Sequence, residues 1–181
     1  AAQALVRTGY DDPLGTFNTN AQGTAHVLQA CRNAPDLMSV VIVTTDKCYR
    51  NEGHAWPYRE CDPLGGNDPY SASKACAELI TASYRSSFFN HPGAARIATA
   101  RAGNVIGGGD VCRDRLLPDL FRAMDLAQPL TLRYPQAERP WQHVLEALGG
   151  YLMLAEHLWR GTAWAADGWN FGPADADMRP V

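Results

Sequence analysis

No two cysteines in this 181-residue chain form a C-x-x-C pair, and no two histidines stand in an H-x-x-x-H spacing. The five cysteines, Cys31, Cys48, Cys61, Cys76 and Cys112, are dispersed and odd in number, and the five histidines are equally scattered. The ordinary ligand spacings of a structural zinc site are therefore missing. The thiols read as reduced and mostly buried, as in a cytoplasmic protein. Long apolar runs are missing too. The longest, residues 40–43 with its edges, falls far short of the ~20 residues that span a bilayer. No charged start followed by an apolar stretch marks a signal peptide. Nor is charge of one sign concentrated: 16 Lys and Arg are scattered among 19 Asp and Glu, for a net charge of -3. That pattern gives no basic patch for nucleic acid. What is present is a chain 46% hydrophobic, long enough for one domain with a real core.

There is no internal repeat, low-complexity tract or linker-like stretch. Phe17, Ala21, Thr24, Val27 and Leu28 recur at helical spacing and predict a helix over 16–32, closed by Pro35 and Asp36. Residues 39–44 are β-branched and apolar without interruption, which predicts a strand buried on both faces. Pro69 opens a second helix over 69–88. Residues 95–100 read as another strand, and the glycine-rich 103–110 as a loop. A helix over 116–126, a short strand over 130–132 and a helix over 143–159 complete the reading. Helices alternating with buried strands predict a parallel α/β sheet, whose site lies at the carboxyl ends of its strands.

Two loops at that end, 44–49 and 101–110, carry unusual residues. In Tyr70-Ser71-Ala72-Ser73-Lys74 the phenol and the ammonium are four apart on one helix face. A nearby cation lowers a tyrosine pKa from its usual ~10, and a tyrosine so tuned can take a proton from a hydroxyl. By itself the pattern is weak, and a surface pair is its plainer reading. Thr44-Thr45-Asp46-Lys47-Cys48-Tyr49 follows the first strand directly and sets hydroxyl, carboxyl and amine at the site position; an ordinary turn is the alternative. In Arg101-Ala102-Gly103-Asn104 and the three glycines 107–109, the glycines allow close backbone approach to a ligand. Arg133 and Arg139 suit phosphate contact, although a single arginine is usually a surface residue.

Together these motifs resemble the extended short-chain dehydrogenase/reductase family acting on nucleotide sugars, over essentially the whole chain. Ala1-Ala2-Gln3 is similar to the strand end facing the dinucleotide, and Asn20-Ala21-Gln22-Gly23-Thr24 to the helix that follows it. Thr45-Asp46-Lys47-Cys48-Tyr49 resembles the branch that dehydrates CDP-glucose. Asp62-Pro63-Leu64-Gly65-Gly66, Gly103–Asp110, Asp114-Arg115-Leu116-Leu117-Pro118, Arg139-Pro140-Trp141-Gln142-His143-Val144 and Trp169-Asn170-Phe171-Gly172-Pro173 do the same. Two departures are Thr45, where that branch has serine, and Cys112, where it has tryptophan.

The resemblance implies a Rossmann-like parallel sheet lacking its first βαβ unit, so that the chain is an internal piece. Residues 1–105 are then the later part of an NAD-binding domain, and 106–181 part of a substrate-binding region interleaved with it. It implies NAD as cofactor, held by Ala1, Ala2, Gln3, Tyr70 and Lys74. Tyr70, helped by Thr45 and Lys74, deprotonates the sugar C4 hydroxyl. Asp46 and Lys47 then serve elimination of water across C5 and C6, in either assignment of acid and base. Asn104, Arg139 and Arg133 fall at diphosphate positions, and Asp114, Arg115 and Pro118 near the nucleobase. A homodimer through the helices 16–32 and 69–88 is implied as well, with Ala72, Ala75, Leu79, Ala82 and Phe88 as candidate contacts. The rival expectations are a 4-epimerase, which does not need Asp46-Lys47, a dehydratase of a UDP-, dTDP- or GDP-sugar, and a non-catalytic truncated module.

Overall fold

The structure is a computed structural model describing residues 2–53, 56–132, 134–174 and 177–180. Three short helical segments come first: α1 (Val6–Asp11), α2 (Pro13–Phe17) and, after a π-helical turn over Asn18–Gln22, α3 (Gly23–Cys31). The expected helix over 16–32 is therefore longer at its start and carries a π-turn within it. Pro13 stands at the first helical position of α2, and the Asp12 carboxylate caps it by accepting from the Gly15 amide at 2.9 Å. Strand β1 (Ser39–Val43) leads through a 3-10 turn, Asp46–Cys48, and a long loop to α4 (Pro69–Phe88). Asp68 caps α4, accepting from Ser71 N at 3.0 Å and Ser71 Oγ at 2.6 Å, with Pro69 in its first turn. Then come β2 (Arg96–Ala102), β3 (Val105–Ile106), α5 (Leu116–Asp125), β4 (Glu138–Arg139), β5 (Gln142–His143), α6 (Val144–Trp159), β6 (Gly168–Phe171) and β7 (Arg179–Pro180).

The main sheet is three-stranded and wholly parallel in the order β1-β2-β6, with Ser39 opposite Arg96 and Thr99 opposite Gly168. The expected parallel neighbours, 39–44 and 95–100, are thus hydrogen-bonded partners. Side chains alternate across β2. Ala98 and Ala100 pack with Leu154 and Leu158 of α6. Thr99 and Arg101 turn to the other face, where both bond Glu78 of α4. The sheet is therefore covered by α6 on one face and α4 on the other, a layered α/β arrangement.

Several expectations are corrected. β1 is not buried on both faces: among the described residues it has one neighbour, and Val43 is 48% exposed. Residues 130–132 form no strand; the local partner is β4, paired antiparallel with β7. Part of the 103–110 loop is strand, because β3 pairs with β5 in parallel. β6 is an element that the sequence reading took only as a motif. Ala75 is buried against Cys48 and Tyr49 and offers no outer contact, whereas Leu79 and Phe88 are exposed.

The cysteines are not mostly buried. Only Cys48 is; Cys61 and Cys112 are exposed and Cys31 and Cys76 intermediate, with no disulfide among them. Burial pushes the Cys48 thiol up to about 12, with the Glu78 charge adding to it. A maleimide under native conditions should therefore label Cys61 and Cys112 first and Cys48 last. Early labelling of Cys48, read by peptide mass spectrometry, would show that this part of the core opens. Among the described residues no helix is long and apolar enough to cross a membrane, and no cluster of His, Cys, Asp and Glu could hold a metal.

Candidate active site

The carboxyl ends of β1 and β2 open onto a cavity of about 780 Å³. Its size is that of a small-molecule site. Thr44, Thr45, Lys47, Tyr70, Asn104, Asp114, Arg115 and Pro118 all line it, together with residues of α1. Seven of the expected site residues are thus brought around one space, although 73 positions separate Thr45 from Pro118.

The turn after β1 is built on Thr45. Extended backbone at Thr45 lets its hydroxyl cap the 3-10 turn, accepting from Lys47 N at 3.4 Å. The same hydroxyl donates to Asp46 Oδ1 at 3.0 Å, and Tyr70 lines the same cavity as Thr45. Lys47 Nζ pairs with Asp46 Oδ1 at 3.2 Å, with the two side chains 43% and 37% exposed. Asp46 runs close to the backbone of the next loop. A Cβ on Gly103 would stand 2.5 Å from Pro140 Cγ and 3.2 Å from Asp46 Oδ2, so glycine is required there by close approach.

On α4, Tyr70, Lys74 and Glu78 follow each other at four-residue spacing and are all buried. Lys74 Nζ donates to the Val43 carbonyl at 3.2 Å, tying α4 to the end of β1. The expected lowering of the Tyr70 pKa is not met. Burial raises it; the Thr45 hydrogen bond and Arg115 act against that, while the charges of Asp46 and Asp68 add to it. Burial likewise lowers the Lys74 pKa, with the Glu78 charge opposing. The chain's two lysines both stand here, a scarcity that could itself have singled out Lys47 and Lys74.

Asn104 is held by its backbone, whose carbonyl accepts from Gln142 N at 3.0 Å. Its side-chain Oδ1 is buried with no hydrogen-bond partner among the described residues, and such an orphan acceptor in a cavity suits a ligand's donor. Asp114, at φ 63°, pairs with Arg7 at 2.6 Å, and Arg115 with Asp110 at 3.4 Å. Arg7 was missed in the sequence because its partner lies 107 residues away. Arg139 is a correction: it does not line the cavity, and its Nη1 donates to the Glu138 carbonyl at 2.9 Å.

Four further expected contacts, Ala1, Ala2, Gln3 and Arg133, complete the set. Ala1 and Arg133 lie outside the described residues. Ala2 is exposed. Gln3 is engaged within the fold: Nε2 donates to Thr16 Oγ1 at 2.8 Å, Oε1 accepts from Leu5 N, and its backbone exchanges hydrogen bonds with the Asn20 amide. Asn20, buried in the π-turn, also donates to Ser73 Oγ at 2.9 Å. It fixes the 3–5 segment beside α4, and a π-turn at such a point is typical of functional helices.

Three comparisons bear on this site. The chain is 48% identical over its full length to a CDP-glucose 4,6-dehydratase of Salmonella typhimurium, of which it spans 52%. A crystal structure of a dTDP-glucose 4,6-dehydratase from Streptomyces venezuelae with NAD bound matches 94% of the chain and 49% of that protein, at 25% identity and TM-score 0.76. A Bacillus cereus UDP-glucuronic acid 4-epimerase matches the whole chain and 54% of itself with TM-score 0.83, but at 20% identity it speaks only for the fold. The chain thus spans about half the length of these relatives, and the fold is the Rossmann type expected. With its residues 1–165 matched by that family's model, the chain belongs to the NAD dependent epimerase/dehydratase family.

Proposed function

We propose that the chain carries the catalytic centre of an enzyme that converts CDP-glucose to CDP-4-keto-6-deoxyglucose, a precursor for deoxysugar biosynthesis, with NAD as cofactor. One observation carries the reading. Thr45, Lys47 and Tyr70 line one cavity, and the Thr45 hydroxyl bonds Asp46, itself paired with Lys47, so a base for C4 and an acid–base pair for C5 and C6 stand at one site. The 48% identity to the Salmonella CDP-glucose 4,6-dehydratase supports the choice of substrate.

The residues present fit the reactive end of a dinucleotide. Lys74 makes one described hydrogen bond, to Val43, and retains donors for ribose hydroxyls, one turn from Tyr70 on α4. When bound, NAD would supply reversible hydride acceptance, the hydride taken from C4 being the one given back to C6 after water has left and as C5 regains a proton, so that the cofactor ends oxidised. Tyr70, helped by Thr45 and Lys74, takes the proton of the C4 hydroxyl. The ketone so formed acidifies the C5 proton, which one member of the Asp46–Lys47 pair removes. The other protonates the departing C6 hydroxyl, a poor leaving group without that proton. Asn104 Oδ1 accepts from the substrate, Arg115 contacts its nucleobase side, and Asp114 and Pro118 shape that wall. Residues 1–105 form the cofactor side of the enzyme and 106–181 the substrate side. Free thiols support a reducing, cytoplasmic compartment. Exposed Val27, Leu79 and Phe88 support a homodimer through α3 and α4.

The test is product analysis. The full-length protein, incubated with CDP-glucose and NAD, should release the 4-keto-6-deoxy sugar nucleotide, and should ignore UDP- and GDP-sugars at equal concentration. Release of a 4-epimer without loss of water would overturn the dehydratase reading, and sedimentation as a monomer would overturn the dimer.

A further inference from the structure

The turn bearing Asp46 and Lys47 is short, and both of its ends are tied to the same buried ion pair. At its start, Thr44 Oγ1 donates to Glu78 Oε1. Glu78 Oε2 accepts from Thr99 Oγ1 at 2.6 Å and from Arg101 Nη2 at 2.8 Å. At the far end, Arg101 Nη1 donates to Tyr49 Oη at 2.7 Å, and Tyr49 Oη donates on to Asn170 Oδ1 at 2.7 Å. The Tyr49 ring stacks on Tyr58 with centroids 5.2 Å apart and planes 8° from parallel. The Glu78 and Arg101 side chains are only 3% and 7% exposed. Burial opposes the Arg101 charge, yet the bond and charge of Glu78 outweigh it and hold the guanidinium pKa above its ordinary value.

A buried ion pair is a poor source of net stability, because apolar groups of the same shape do as well. What the pair adds is direction. A guanidinium is a rigid fork that addresses partners at fixed angles, here Glu78 on one arm and Tyr49 with the Glu60 carbonyl on the other. Glu78 lies on the α4 stripe that also bears Tyr70 and Lys74, so the pair references both ends of the turn to the helix of the proposed base. We propose that Glu78 and Arg101 are positioning residues: a clamp that holds the Asp46–Lys47 turn in register with Tyr70, acting on the elimination half of the reaction. The inference rests on the proposed dehydration.

Tyr49→Phe removes one oxygen and keeps the ring stack; Thr44→Val removes the hydroxyl at the other end. In each, hydrogen–deuterium exchange at the Lys47 and Cys48 amides should accelerate while α4 and β2 are unchanged. Turnover of CDP-glucose by the full-length variants should leave oxidised but undehydrated sugar in about tenfold greater proportion to product, since small displacements of reacting groups cost up to ~10²-fold. Arg101→Lys, which keeps the charge but loses the fork, should behave like Tyr49→Phe. Unchanged exchange in the turn, a rise spread evenly over β1, β2 and α4, or an unaltered ratio of intermediate to product would each overturn the clamp. If the unmutated full-length protein fails to dehydrate CDP-glucose, the proposed function falls, and exchange alone then decides whether the clamp holds the turn.

Discussion

Tyr70→Phe should abolish oxidation at C4 almost completely while leaving equilibrium binding of CDP-glucose nearly intact. The substitution deletes only the phenol oxygen. The ring keeps its buried place in the first turn of α4, and Thr45 retains Asp46 and the Lys47 amide as partners. Loss of one hydrogen bond costs stability only ~0.5–1.5 kcal/mol, whereas loss of the proton acceptor slows the step by ~10²–10⁴-fold. The pH dependence gives a second check. Burial raises the Tyr70 pKa, and the Asp46 charge keeps it up against the Thr45 bond. A base must be deprotonated to act, so a raised pKa makes the working form the minority at neutral pH. Oxidation by the unmutated enzyme should therefore quicken as pH rises from neutral, and Tyr70→Phe should lose that slope. A variant less than about tenfold slower, with the slope intact, would move the proton acceptor elsewhere.

Much of this site was legible because its chemistry follows local geometry. Tyr70 and Lys74 share a helix face by their spacing, Asp68 and Pro69 announce the start of that helix, and Thr45 follows an unbroken apolar strand. The rest depends on register that no local pattern carries. Glu78 extends the Tyr70–Lys74 stripe by one more turn but reads as a surface glutamate until β2 is laid against it. β2 itself is Arg-Ile-Ala-Thr-Ala-Arg-Ala, where Arg101 looks solvated although it is buried. Arg139 sits in a two-residue strand whose partner is 40 residues on, so its side chain could not be aimed from sequence. β6, Gly-Trp-Asn-Phe, is too short and mixed for a period-2 signal. α1 and α2 hold Gly9, Gly15 and Pro13 among polar residues, a composition that reads as loop and is helical only through its packing on α4.

Asp46→Asn should fail differently from Tyr70→Phe: the sugar should be oxidised and then stall. The amide keeps the shape of the carboxyl and can still accept from Thr45, so the turn after β1 remains closed. The pair with Lys47 is lost, but at 43% and 37% exposure such a pair contributes only ~0–1 kcal/mol, and the melting temperature should barely move. Chemically the loss is large, because the C6 hydroxyl must leave without its acid or the C5 proton without its base. Elimination should slow by ~10²–10⁴-fold and become the slow step, while Tyr70, Thr45 and Lys74 still serve C4. In a single turnover on the full-length protein, the absorbance of reduced nicotinamide should rise and persist, and the quenched sugar should be a 4-ketone that retains its C6 hydroxyl. Tyr70→Phe should show neither. Lys47→Met separates the remaining alternatives: if Lys47 is the partner that removes the C5 proton, this variant should stall at the same ketone, and solvent deuterium should not enter C5. Exchange of deuterium into C5 without loss of water in Asp46→Asn would make Asp46 the acid and Lys47 the base; loss of that exchange would reverse the two roles. Elimination at the unmutated rate in Asp46→Asn would remove Asp46 from the chemistry, and with it the feature that sets this site apart from an epimerase.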